Sequence, residues 1–278
     1  MFQSKQNHGT SLSQFLISYG SLDVVVSVFA NFSFFSTLFQ IPLRIPLLLF
    51  YFVSVWGLYL LDHLWDAKRE LDPKRERSQV YLGHQTKIQW GIGISLLLSV
   101  SLGIFWELDF LFDNLTYFLS FAISLLLVVK GLSPIPKELL VSFFYTWGIL
   151  LPFPWENGLR EITFLFFLHA FSNVLFTYNL DRDLDKRQNA LVFSRFFSYD
   201  AMQFFLRLFL LVGFFFLCLT TYSMTTPLLF GLALGLSYLW LFVTTFLVRN
   251  TTTLKSLAEL SYLPMFLPQI IFFFSGLP

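Results

Sequence analysis

Charge is what this chain has least of. Only 13% of its 278 residues are charged, about half of the roughly 25% usual in soluble domains. With 56% hydrophobic residues and 38 phenylalanines, a soluble fold would leave far too much apolar surface in water, so lipid is the solvent. Cysteine is nearly absent. Cys218 stands alone inside an apolar run, which excludes an internal disulfide and leaves the redox compartment unmarked. The N-terminal stretch is polar, with no compact apolar core ending in a small-residue cleavage site. No signal peptide is expected, and the first span is expected to act as the insertion signal. No Walker-type loop, His-Glu-x-x-His helix or Gly-x-Ser-x-Gly elbow occurs. The net charge of +1 is uninformative, since distribution matters more than the total, and no nucleic-acid partner is expected.

What is present is a series of uncharged runs, each near the roughly 17–25 residues that cross a bilayer. They cover 24–43, 45–61, 88–106, 114–129, 139–155, 162–180, 208–248 and 260–278. The run 208–248 is too long for one span and breaks naturally at Thr225-Thr226-Pro227. Pro264 and Pro268 are expected to kink or interrupt the last run. The runs are continuous rather than alternating, so helices are indicated and not barrel strands. The expected fold is an all-α integral membrane protein, one domain over 1–278, with about nine transmembrane helices around a central cavity.

Lysine and arginine orient it. With a cytoplasmic N-terminus, the inside segments are the N-terminus and the connections near 62–87, 130–138, 181–207 and 249–259. Those segments hold every Lys and Arg except Arg44 and Arg160. This asymmetry satisfies the positive-inside rule and predicts a multi-pass protein of the plasma or inner membrane.

Two acid clusters fall on that side. In Leu61-Asp62-His63-Leu64-Trp65-Asp66 the two acids are four apart, one helical turn above each other on one face, with Asp72 just beyond. Lys68, Arg69, Lys74, Arg75 and Arg77 follow. The second cluster, Asn179-Leu180-Asp181-Arg182-Asp183-Leu184-Asp185, repeats the spacing at Asp181 and Asp185. Interface punctuation explains the bases but not the acids, because acids at helix C-termini oppose the macrodipole. Converging carboxylates suit a hard cation such as Mg²⁺, which prefers oxygen ligands and bridges to phosphates. The adjacent bases suit the anion. Taken alone, the second cluster reads equally as a self-neutralising surface loop, and Lys130-Gly131-Leu132-Ser133-Pro134-Ile135-Pro136-Lys137 as an ordinary basic hairpin. His63 points off the Asp62/Asp66 face and reads as interfacial. His169, mid-span, reads as a hydrogen-bonded bundle histidine, and Asp23 as an edge residue of the first span.

Taken together, these features resemble the UbiA superfamily of intramembrane prenyltransferases. Asp62 and Asp66 resemble the first two acids of its Asn-Asp-x-x-x-Asp-x-x-x-Asp motif, with Leu61 in place of Asn and Asp72 displaced. Asn179, Asp181 and Asp185 resemble its second motif, Asp183 offering another register. Ser133, Pro134, Pro136 and Lys137 resemble its Tyr-Ser turn, with Leu132 where Tyr would stand. The resemblance implies Mg²⁺-dependent transfer of an isoprenyl group from an isoprenyl diphosphate to a lipophilic acceptor within the membrane. It implies metal ligands at Asp62, Asp66, Asp72, Asp181, Asp183 and Asp185, and a catalytic role for Lys137 beside Asp62, Asp66, Asp181 and Asp185. Substrate contacts are implied at Asn31, Arg69, Lys130, Ser133, Asn179 and Arg182. It also implies a Phe- and Trp-rich lining that would stabilise an allylic cation through ring faces. The departures motivate an alternative, a catalytically altered relative that binds or assembles lipids or quinones. A transporter is the third reading, disfavoured because midplane acids are scarce where coupling sites lie.

Overall fold

The computed structural model describes residues 20–70, 74–153, 160–182 and 191–275. Among these, every regular element is helical and no strand occurs. Helix α1 spans Leu22–Phe39, α2 Ile45–Arg69, α3 Glu76–Gly83, α4 Gln85–Trp106, α5 Leu108–Asp113 and α6 Leu115–Val129. They are followed by α7 Lys137–Leu150, α8 Arg160–Leu180, α9 Tyr199–Tyr222, α10 Leu228–Thr244, α11 Thr251–Glu259 and α12 Leu267–Ser275. Short 3₁₀ turns cover Phe193–Arg195 and Leu260–Phe266.

Six stretches are long and apolar enough to cross a membrane: α1, α2, α4, α8, α9 and the composite Thr251–Ser275. Two shorter apolar helices, α6 and α10, have 15 and 17 residues. The protein is thus an all-helical, multi-pass membrane protein. The side chains say what its solvent is. Trp90, Leu97, Phe105, Phe215 and Phe273 are 60–80% exposed, and only Ile92, Ser95 and Gly103 of α4 are buried. Such wide apolar faces are stable only against hydrocarbon.

Local chemistry sets the ends of the elements. Proline in the first turn of α2 costs no hydrogen bond there. That helix has 25 residues, or about 37 Å at 1.5 Å per residue. It outruns a hydrocarbon core of about 30 Å, so its last turns, with Asp62 and Asp66, stand at the interface. Gly131 turns the chain out of α6 with φ 68°, a conformation that costs a glycine little. The connection expected at 249–259 is instead largely helix α11, whose Leu254, Ser256 and Ala258 are buried. Asn250 caps it by accepting from the Thr253 N–H at 2.7 Å.

The main core packs Phe32, Phe34 and Phe35 of α1 against Phe166 of α8, Leu210 of α9, and Tyr238 and Leu241 of α10. A second cluster, Leu60, Leu64, Ala67, Tyr81 and Ile92, fastens α2 to α3 and α4. At this seam a Cβ on Gly57 would lie 2.8 Å from Ser95 Cβ, too close for backbones already in contact. Gly57→Leu is expected to lower the melting temperature in detergent by about 5 °C or more, through overpacking of about 1–3 kcal/mol. An unchanged melt would show that the seam yields.

Candidate functional site

A cavity of about 420 Å³ opens among α1, α2, α3, α6, α7, α8 and α11. Each helix contributes a stripe at helical spacing. From α2 come Val55, Tyr59, Asp62 and Asp66; from α6, Tyr117, Phe121 and Leu125; from α7, Lys137, Val141, Phe144 and Gly148. From α8 and its end come Val174, Thr177, Tyr178 and Asp181; from α11, Thr251, Thr252, Lys255, Ser256 and Glu259. Steps of three or four residues put each set on one helix face. One part is polar, holding Asp62, Asp66 and Asp181 with Arg75, Arg77, Lys137 and Lys255. The other is apolar, lined by Val55, Leu58, Phe121, Leu125, Val141 and Phe144.

The polar part is already cross-linked by charge. Both carboxylate oxygens of Asp181 are occupied, Oδ1 by Arg75 and Oδ2 by Lys255. Burial pushes the Asp181 carboxyl up, but Lys255 and Arg75 outweigh that effect and hold it below the usual range. Arg75 also reaches Glu70 at 3.3 Å. One arginine thereby ties the turn after α2 to the end of α8. The Lys137 ammonium lies 4.9 Å from the Tyr178 ring centre, a cation–π distance. Arg77 lines the cavity with no hydrogen bond or ion pair to a described residue.

Four of the residues expected at the site meet here: Asp62, Asp66, Asp181 and Lys137. Asp72, Asp183 and Asp185 lie outside the described residues. The remaining six do not line the cavity. Arg69 stacks over Trp65 at 4.3 Å, and Lys130 is exposed at the end of α6. Ser133 donates to Ile135 O at 2.7 Å within its own turn. Asn179 donates to Tyr199 O at 3.2 Å, and Arg182 donates to Ser194 O at 2.8 Å and to Phe197 O. These two brace the connection into α9. Asn31 is fully buried and donates to the Tyr145 hydroxyl at 2.6 Å, so it touches the cavity wall from behind.

Several lining residues depart from the sequence-based expectation. Asp23, expected as an edge residue, is buried in the wall and accepts from Ser256 Oγ at 2.7 Å. His63 also lines the cavity, its Nδ1 3.0 Å from Ser21 Oγ and 3.2 Å from the Tyr81 hydroxyl. The aromatic lining is mainly tyrosine: Tyr51, Tyr59, Tyr117, Tyr145 and Tyr178, with Phe121 and Phe144 the phenylalanines among them. No tryptophan lines it among the described residues. His169 is buried between Tyr238 and Tyr262, 3.5 Å from Ser261 Oγ, in keeping with a bundle histidine. Lys255, Ser256 and Glu259 carried one usable signal, a polar i, i+1, i+4 face before an apolar run.

Among the described residues no three or more His, Cys, Asp or Glu side chains group closely enough to hold a metal ion. The donor set is a carboxylate pair, Asp62 and Asp66, with Asp181 also on the cavity wall. Mg²⁺ commonly binds one or two carboxylates and completes its shell with water and phosphate oxygens. The pair fits that mode and does not fit an all-protein cage. Compared with protein-family models, curated proteins and solved structures, the chain matches none.

Proposed function

We propose that the protein transfers an isoprenyl group from an isoprenyl diphosphate to a lipophilic acceptor inside the membrane, with Mg²⁺ held by Asp62 and Asp66. One observation carries the reading. Acids from two clusters more than a hundred residues apart line one cavity with four cations, and an apolar chamber adjoins them. A diphosphate needs the charged part and a prenyl tail needs the apolar part. On this reading about nine helices cross the bilayer, the charged part faces the cytoplasm, and membrane lipid surrounds the rest.

Bound Mg²⁺ would neutralise charge on the departing pyrophosphate. Arg77 and Lys137 would orient the diphosphate and stabilise the charge developing on it. Arg75 and Lys255, held by Asp181, set the positions of the remaining positive charge. The tyrosine and phenylalanine rings exclude water and offer ring faces to an allylic cation.

The occupied state of Asp181 favours a second reading. A carboxylate with both oxygens on cations is a structural clasp, as expected in an altered scaffold that binds an isoprenoid or quinone without transfer. Binding of a radiolabelled isoprenyl diphosphate to purified protein, with Mg²⁺ and then with EDTA, tests the first reading. Metal-dependent binding, lost in Asp66→Ala, is the expected result. Absence of binding under both conditions would overturn it and leave the second.

A further inference from the structure

Asp181 is an anion already seated where an anionic ligand would go. Its backbone is fixed at the end of α8, its N–H donating to Tyr178 O at 3.0 Å. Its carboxylate lines the cavity, where Arg75 Nη1 donates to Oδ1 and Lys255 Nζ to Oδ2. Each cation also has an anchor apart from Asp181. Buried Glu70 holds Arg75 twice: Oε1 pairs with its Nε at 3.3 Å, and Oε2 accepts its backbone N–H at 3.3 Å. Lys255 stands on α11, which Asn173 fastens to α8 by donating to Ala258 O at 2.7 Å. What Asp181 adds is neutralisation of both.

The cavity sets cations beside an apolar chamber, and that pairing fits any anionic amphiphile, a long-chain carboxylate as well as a diphosphate. Fit alone does not separate the two. A site discriminates as much by what it refuses as by what it accepts. A carboxylate that exchanges with Asp181 remakes the two ion pairs it breaks and gains none. It also competes with a tethered anion, whose effective concentration is about millimolar or more. The displaced Asp181 is left in the same part of the cavity as Asp62 and Asp66, and a mostly buried charge without its partners is costly. A diphosphate carries more charge than the carboxylate it replaces. It also brings Mg²⁺, which offsets the acids it uncovers.

We infer that Asp181 is a built-in competitor that determines specificity. Its carboxylate holds Arg75 and Lys255 against singly charged amphiphiles and yields them to a ligand that brings several negative charges with their metal. The inference rests on the prenyl-transfer reading only for the ligand admitted. Refusal of single carboxylates rests on the two ion pairs. Asp181 thereby acts apart from Asp62 and Asp66, to which that reading gives the metal.

The test uses the full chain in nonionic detergent with EDTA, at alkaline pH, and two probes of equal length, hexadecanoate and hexadecanol. The ratio of their affinities is compared between wild type and variants, which cancels partitioning into the micelle. Asp181→Asn is expected to shift the ratio toward hexadecanoate by about tenfold or more, since two charge-assisted donors are released. Adding Lys255→Gln to that variant is expected to reverse most of the shift. An unchanged ratio in Asp181→Asn, or one shifted toward hexadecanol, would overturn the inference. Should Asp181→Asn fail to fold, Lys255→Gln alone decides. An unchanged ratio supports the inference, whereas a clear loss of hexadecanoate would show that the lysine is open to single carboxylates and overturn it. Binding of an isoprenyl diphosphate with Mg²⁺ is measured on the same preparations. Asp181→Asn is expected to strengthen it less than it strengthens hexadecanoate, and an equal gain for both would also overturn the inference. No diphosphate binding in any variant, with the hexadecanoate shift intact, would remove the transfer reading and leave the competitor standing.

Discussion

Replacing Asp62 and Asp66 together by asparagine is expected to weaken Mg²⁺-dependent binding of an isoprenyl diphosphate by about a hundredfold or more. The two residues present the carboxylate pair on the cavity, and amides keep their shape while removing both charges. A hundredfold change is about 2.7 kcal/mol. One charge–charge interaction at about 5 Å is worth about 3 kcal/mol at an effective dielectric near 20, so the loss of two leaves room for that effect. The melting temperature in metal-free buffer is expected to hold or rise slightly. Acids in the last turns of α2 oppose the carbonyl end of the helix, and removing them relieves that field. A site retained for binding alone trades in this direction, with affinity lost and stability kept. If titration with Mg²⁺ showed less than a tenfold loss, the cations Arg75, Arg77, Lys137 and Lys255 would be carrying the anion alone, and the metal would leave the proposal.

The largest structural effect is expected at Gly213. A Cβ there would lie 2.5 Å from Tyr238 Cε1 and 2.6 Å from its hydroxyl oxygen. Tyr238 cannot easily retreat. It is 1% exposed, its hydroxyl donates to Leu165 O at 2.6 Å, and its ring meets His169 at 5.2 Å. Gly213→Ala therefore displaces a ring that ties α8, α9 and α10 together. Overpacking costs about 1–3 kcal/mol, and a buried carbonyl losing its donor costs about 1–3 kcal/mol more. At about 2–4 °C per kcal/mol, the melting temperature is expected to fall by about 5–20 °C. The same substitution in a Tyr238→Ala background should cost little, because the colliding ring is gone. A full loss in both backgrounds would place the strain elsewhere and sink this account.

Much of the architecture is legible in the sequence because a membrane reduces the problem to one dimension. Six uncharged runs become helices long and apolar enough to cross a membrane, Pro264 and Pro268 foretell a break, and Asp62 and Asp66 at i, i+4 must share a face wherever α2 goes. Three things were not legible. Residues 249–259 are polar enough to read as a loop, yet the chain folds them into α11, because Leu254, Ser256 and Ala258 find buried partners. Asp23 looks like an edge acid until Ser256, more than two hundred residues away, donates to it. The aromatic lining is mainly tyrosine although phenylalanine dominates the composition, since most rings serve the core or the lipid face and only position relative to other helices selects the cavity.

The sequence by itself determined that the solvent is lipid, that the elements are helices, and that Asp62 and Asp66 share a face near a helix end. These depend on composition and on spacing along one chain, which local geometry and transfer free energy decide. Only the tertiary structure decided which charges meet: that Asp181 is clasped by Arg75 and Lys255, that Asn31, Arg69, Lys130, Ser133, Asn179 and Arg182 do not line the cavity, and that Glu259 lines it with its carboxyl in no hydrogen bond or ion pair to a described residue. Such pairings depend on how helices remote in sequence rotate against one another. That rotation is set by the packing of Phe34, Phe166 and Tyr238 in the core, and no spacing along the chain encodes it.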